Sequence, residues 1–275
     1  MRSIRSLVIC LLPSFSLLVA MIAACEDLPD VQLIIQRSIA ANQADWEAAP
    51  AYSCYVREQE QNGAKTYEEL VLSDSSYRRL IAVNDTPLPA EEEQREEQKL
   101  QEEIRRREQE SADARARRIA KYERERNRDR MLMEQLTAAF NFKLVGKEQL
   151  GDRDVYVIDV TPKPGYRASN LETKLLAGMR GRLWIDAKEF RWVRAEAEAI
   201  RPVYIAGFIA RVEPGTRFEL EKTPVEPGVW LTSHFAARSR ATIGFVLPEK
   251  KQENERYFNC SKQKAPQLGS LSHRP

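Results

Sequence analysis

From Ala90 to Val145 the chain contains neither proline nor glycine, and residues 91–130 carry 13 acidic and 13 basic side chains. A stretch this charged cannot form a core, and with no helix breaker its favoured local structure is a solvated α-helix. Glu91/Arg95, Glu102/Arg106 and Glu103/Arg107 place Glu four residues ahead of Arg, the favourable order on a helix, each worth a few tenths of a kcal/mol. Leu100, Ile104, Ile119 and Tyr122 are too sparse for a heptad seam, whereas 131–140 is more apolar and is expected to pack on the rest of the protein. Residues 91–110 hold 9 acidic and 5 basic groups, residues 111–130 hold 4 and 8. A straight rod over 91–140 would be about 75 Å long. A hairpin near Ser111 would pair the two halves, but no turn residue marks a bend.

This segment separates two β-patterned regions. Ahead of it, Val31, Ile34, Ile35, Ile39 and Trp46 form a loosely helical stripe that Asp30 is placed to cap. Strands follow at 52–57, 66–72 (across an Asn62-Gly63 turn) and 77–83. Behind it, strands are expected at 141–150, 153–161, 181–186, 189–200, 208–212, 216–221, 228–237, 238–246 and 254–260. Residues 31–262 thus read as a single α+β domain with a charged helical insertion at 90–140, and 263–275 as a disordered tail.

Alternation assigns the strand faces. Tyr156, Ile158 and Val160 share one side; so do Phe218 with Leu220, Val193 with Ala195, Ala197 and Ala199, and Ser239 with Ala241 and Ile243. Arg194, Glu196, Glu198, Arg238 and Arg240 face the other way, the pattern of a half-buried antiparallel sheet. Small residues on a curved apolar face leave volume. The ligand-binding expectation is a cavity lined by Tyr156, Ile158, Val193, Ala195, Ala197, Phe218, Leu220, Ala241 and Ile243. The alternative is that the protein's own helices fill that space.

At the N-terminus, Arg2 and Arg5 precede an apolar run from Leu7 to Ala24, which ends Ile22-Ala23-Ala24-Cys25. Residues 1–24 read as an export signal. A cysteine directly after Ile-Ala-Ala resembles the lipobox of bacterial lipoproteins, which implies a diacylglycerol on Cys25 and a polar spacer over 25–30. Cleavage with a free Cys25 and retention as an uncleaved anchor are the other readings; Pro13 and the serines count against the anchor. Without Cys10 and Cys25, Cys54 and Cys260 remain, and in an oxidising compartment they can pair or stay as buried thiols. Removal of Arg2 and Arg5 leaves 41 basic and 41 acidic residues, a balance that gives no case for nucleic acid or an anionic bilayer.

Catalytic signals are sparse. His234 and His273 are the only histidines, which excludes a multi-histidine metal site and leaves one imidazole for any nucleophile–base pair. No phosphate-cradling glycine loop or Gly-x-Ser-x-Gly elbow occurs. The expectation is a non-enzymatic protein with no cofactor, no metal and no catalytic residue.

The helix leading into Tyr52-Ser53-Cys54-Tyr55, the strand Val155–Thr161 before Pro162, and Gly181-Arg182-Leu183-Trp184-Ile185-Asp186 together resemble the periplasmic lipoprotein-carrier superfamily, the LolA, LolB and RseB-like fold. The resemblance spans roughly residues 30–260. It implies a curved antiparallel β half-barrel around an apolar cavity with a helical lid, and an acyl chain or lipoprotein as partner. With a lipid on Cys25 the chain would be periplasmic, anchored to the inner or outer membrane. The other function expected is an envelope scaffold or stress sensor whose helix 90–140 binds a protein partner.

Overall fold

A computed structural model describes residues 29–170, 172–205, 210–243 and 247–263. The expected signal (1–24), Cys25 and the tail from residue 264 lie outside the described residues. The chain runs α1 (Val31–Ala48), β1 (Tyr52–Glu60), β2 (Gly63–Leu72), β3 (Ser75–Val83), β4 (Thr86–Pro87), α2 (Ala90–Gln109) and α3 (Ala112–Ala139). It continues through β5 (Phe140–Leu150), β6 (Arg153–Pro162), a 3-10 helix (Glu172–Gly178), β7 (Met179–Asp186), β8 (Trp192–Ala199), β9 (Val203–Ile205) and β10 (Ala210–Val212). The last strands are β11 (Arg217–Glu226), β12 (Val229–Ile243) and β13 (Leu247–Lys262).

All strands join one antiparallel sheet in the order β4-β3-β2-β1-β13-β12-β11-β8-β7-β6-β5, with β10 added beside β12 and β9 beside β10. The two ends of the order, β4 and β5, do not pair, so the sheet is open. The last strand inserts beside the first: Val56 pairs with Tyr257 and Tyr55 with Phe258. There Cys54 and Cys260 are bonded, with an S–S distance of 2.09 Å.

Two expectations about strands change. Residues 228–237 and 238–246 are not separate strands; β12 runs unbroken from Val229 to Ile243. The physical reason is in the residues: nothing between Ala237 and Arg238 supplies a turn, and the alternation continues through the junction. β13 likewise begins at Leu247, because β12 offers it a partner at every position from Ile243 back to His234.

The charged segment is two helices. Glu110 and Ser111 are extended (ψ 147° and 155°), and the Ser111 hydroxyl accepts from Ala114 N at 3.3 Å as the cap of α3. The helices go to opposite faces of the sheet. On β3, Arg79 pairs with Glu97 of α2, while its neighbour Arg78 points to the other face, with Glu69, beside which Tyr122 of α3 lies. The two helices therefore straddle the sheet, and both grip the β2–β3 turn, where Ser73 and Asp74 take positive φ. Arg107 of α2 donates to Ser75 O at 3.0 Å, Arg118 of α3 donates to Ser75 Oγ at 2.7 Å, and Arg115 pairs with Asp74.

The core lies where α1 and the end of α3 meet β5–β7. Ile34, Ile35, Ala139, Phe140, Ile158, Val160, Leu176, Leu183 and Ile185 are all buried in it.

Candidate functional site

Strand register places most of the expected lining on one face. Ile158 sits opposite Leu183, Leu183 opposite Ala195, Ala195 opposite Leu220, and Ala197 opposite Phe218. Tyr156 precedes Ile158 on the same side, and Ala241 continues the face along β12 beyond Ala237, the partner of Phe218. Ile243 shares that parity, but its side chain lies outside the described residues. Val193 is displaced: Ile185 pairs with Trp192 and Trp184 with Arg194, so Val193 is the bulged residue and Trp192 packs against the core in its place.

The space under these residues is taken by helices. Ile34 and Ile35 of α1 and Leu132, Leu136 and Ala139 of α3 pack over Tyr156, Ile158 and Ala195, with Leu176 of the 3-10 helix completing the cover. A depression of about 540 Å³ opens on the opposite face. Alternation makes its floor the backbone of Val160, Gly181, Ala197 and Phe218. Its walls are charged side chains, cross-linked by Arg182–Asp159 at 2.7 Å and Arg180–Glu198 at 3.3 Å.

The inner face is apolar over only part of its width. Phe235 sits opposite Glu255, Glu255 opposite Glu58 and Cys54 opposite Glu69, so the apolar row gives way to carboxylates from β13 onward. Arg78 lies among them, bonding Glu58 at 2.5 Å and Glu69 at 3.4 Å, while Tyr257 donates to Glu255. Burial raises the pKa of Glu69 and, together with the bond to Glu255, that of the Tyr257 hydroxyl. An apolar ligand therefore has the β5–β8 and β11 side of the face available and not the β13–β3 side.

One polar anchor went unnoticed in the sequence. The buried stripe of α1 continues from Ile34 and Ile35 through Ser38 and Asn42 to Asp45, turning polar along its length. Asp45 accepts from Arg191 Nε at 2.9 Å, Lys222 Nζ at 3.2 Å and Trp230 N at 3.0 Å, and Asn42 accepts from Lys222 at 2.9 Å. Burial lowers the pKa of Lys222. The only available signal was a carboxylate on the core-facing stripe of a helix. At its outer side α1 is latched to α3: Trp46 Nε1 donates to Arg126 O at 3.3 Å, and Arg126 returns a bond to Trp46 O at 2.7 Å.

Among the described residues no helix is long and apolar enough to cross a membrane, and no cluster of His, Cys, Asp or Glu is placed to hold a metal ion. His234 Nε2 lies 3.2 Å from Asn254 Oδ1 on the outer face.

No protein-family model matches the chain, and no curated protein is similar to it. Among solved structures, it is similar to a LolA superfamily protein from Nitrosomonas europaea at 11% identity and a TM-score of 0.31, over 86% of this chain and 94% of that one. A DUF1329 family protein from Desulfovibrio piger is 11% identical at a TM-score of 0.34, over 90% and 98%. A domain described as an outer membrane lipoprotein-sorting protein, from Vibrio parahaemolyticus, is 8% identical at 0.33, over 85% and 95%. Superpositions at these TM-scores are loose. The fold therefore stands on this chain's own strand register, and any function on its own side chains.

Proposed function

We propose that this chain is a non-catalytic protein of the cell envelope, held at a membrane through a lipid on Cys25. It takes an acyl chain, a lipid or an acylated lipoprotein end against the apolar part of its inner face. One observation carries the reading: Tyr156, Ile158 and Ala195 are covered by helices rather than by a second sheet. Such a cover can lift without breaking any strand–strand hydrogen bond: side-chain packing, the Asp45 bonds to Arg191, Lys222 and Trp230, and one backbone bond from Lys163 N to Ala139 O at 2.8 Å hold it to the sheet. On this reading α1 and the end of α3 are the lid, the Trp46–Arg126 pair is its latch, and Ala195 and Ala197 supply the room for an acyl chain. The charged side of the face, at Glu58, Glu69 and Glu255, bounds the site.

Uptake of a fluorescent fatty acid, with native mass spectrometry and lipid extraction of the exported protein, tests this. Wild type is expected to bind the probe, and Ala197→Phe to weaken binding at least tenfold. A protein that purifies empty and takes up no probe overturns the reading.

A second reading is a scaffold or stress sensor that captures a protein partner through α2 and α3. It is favoured by the outward charge of α2, whose Glu91 and Arg95 are exposed and pair only along the helix surface. Deleting 92–128 separates the two: lost partner capture with probe uptake intact favours the scaffold, and lost uptake favours the lid.

A further inference from the structure

The two ends of the half-barrel differ in chemistry. At one end, the turn after β7 holds Asp186 and Arg191, and Asp45 near the C-terminus of α1 is bonded there. α1 therefore points its N-terminus toward the other end, where its Ile34 and Ile35 share the core with Leu176 of the 3-10 helix. Asp30 caps α1 at this second end, and it lies only five positions after Cys25, a reach of about 17 Å when extended. Any lipid on Cys25 thus holds this end, and not the Arg191 end, close to the bilayer.

The same end carries a cleft of about 380 Å³ lined by Tyr166, Lys174, Arg201, Val203 and Tyr204 among others, with no carboxylate among the described residues that line it. Lys174 is exposed and has no ion-pair partner among the described residues; Arg201 is exposed and donates to the Ala177 carbonyl, again with no carboxylate. Elsewhere arginines are commonly neutralised, as in Arg180–Glu198 and Arg182–Asp159. Beside these cations, Ile200 and Tyr204 are 43% and 46% exposed, two of the six exposed large hydrophobics among the described residues. Ile200 is fixed to the cleft by its backbone bond to Gly178 O at 2.8 Å. Unpaired cations beside exposed aliphatic and aromatic side chains form an interfacial surface: the apolar groups enter the headgroup layer and the cations meet its phosphates. The chain's overall charge balance hides this local excess.

We propose that the end bearing Lys174, Ile200, Arg201 and Tyr204 docks on an anionic lipid bilayer, orienting the half-barrel with that end toward the membrane. This deepens the envelope reading above and rests on it for the tether.

The test uses the chain from Glu26 to Pro275, made without a lipid, which holds every described element. Cosedimentation is measured with vesicles of phosphatidylcholine alone and of phosphatidylcholine with phosphatidylglycerol. Binding to the anionic vesicles is expected to be at least tenfold stronger and to weaken as salt rises. The surface double variant Lys174→Glu/Arg201→Glu is expected to lose it, Ile200→Ala/Tyr204→Ala to weaken it, and Lys188→Glu at the far end to leave it unchanged. Equal binding to both vesicle types, binding to neither, or an unaffected Lys174→Glu/Arg201→Glu variant overturns the proposal. Fatty-acid uptake by the same variant, measured without vesicles, reports on the cavity reading separately: retained uptake with lost docking leaves that reading standing, and absent uptake with intact docking sinks it alone.

Discussion

Asp45 and Arg191 lie 146 positions apart in the chain and 2.9 Å apart in the fold, where they pin the C-terminal end of α1 to the turn between β7 and β8. Both side chains are largely withdrawn from water (1% and 11% exposed), and Lys222 shares the carboxylate. Removing one member of a buried pair leaves the remaining charge unpaired, which costs about 3–5 kcal/mol. Asp45→Ala is expected to lower stability by that amount in urea unfolding at pH 7. Because burial depresses the pKa of Lys222, the folded state sheds its proton first, so stability gains as pH rises through the window below the ordinary lysine value. Asp45 opposes that depression, so without it Lys222 sheds its proton more readily still, the variant gains more as pH rises, and the Asp45→Ala deficit should narrow between pH 7 and pH 9. A deficit under 1 kcal/mol, or one that widens with pH, contradicts the role of the pin.

Glu103 is held down to about 2, chiefly by its hydrogen bonds from Arg106 and then from Arg107. A carboxylate with a depressed pKa contributes stability above its ordinary value and loses it as pH falls through the folded value. The attachment of α2 to β3, which runs through Arg107, is expected to loosen as pH drops from about 4.5 to about 2. Glu103→Gln should weaken it at neutral pH by roughly 1.5 kcal/mol. Limited proteolysis between α2 and α3 reads the change; identical cleavage in variant and wild type at pH 7 counts against it.

Gly181 faces the neighbouring strand so closely that a Cβ there would lie 2.4 Å from Glu196 O. That obstacle is backbone inside a hydrogen-bonded ladder and has little freedom to shift. Gly181→Ala is expected to cost about 1–3 kcal/mol in thermal or urea unfolding. No measurable loss would mean that β7 and β8 separate more readily than the register implies.

The Cys54–Cys260 bond closes a loop spanning 206 residues. The chain-entropy model puts its stabilisation at up to about 4–5 kcal/mol. The double Cys54→Ala/Cys260→Ala variant is expected to lose most of that and to become indifferent to reductant. Non-reducing peptide mapping of the wild type should recover the two cysteines linked; free thiols at both positions would refute the bond.

The two kinds of information divide along the range of the interactions. Periodicity of two and of 3.6 is local, so the strands, the helical character of 90–140 and the sided strands carrying Ala195, Ala197 and Phe218 were all legible in the residues. The continuity of β12 escaped the sequence reading, which split it into 228–237 and 238–246 although no turn residue interrupts it. Elimination among the cysteines left Cys54 and Cys260 as candidate partners, but not their bonding. Three things required the tertiary structure. Neighbouring strands decide that β13 inserts beside β1 and that the inner face turns acidic at Glu255 and Glu58, because facing side chains are set by cross-strand register. A break at Glu110–Ser111 with no turn residue is decided by the β2–β3 turn, which draws Arg107 and Arg118 onto Ser75 from opposite faces. The filling of the alanine face was likewise open in sequence, since a small side chain leaves the same gap whether a helix or a ligand enters it; only the position of α1, fixed by Asp45 on Arg191, brings Ile34 and Ile35 over that face.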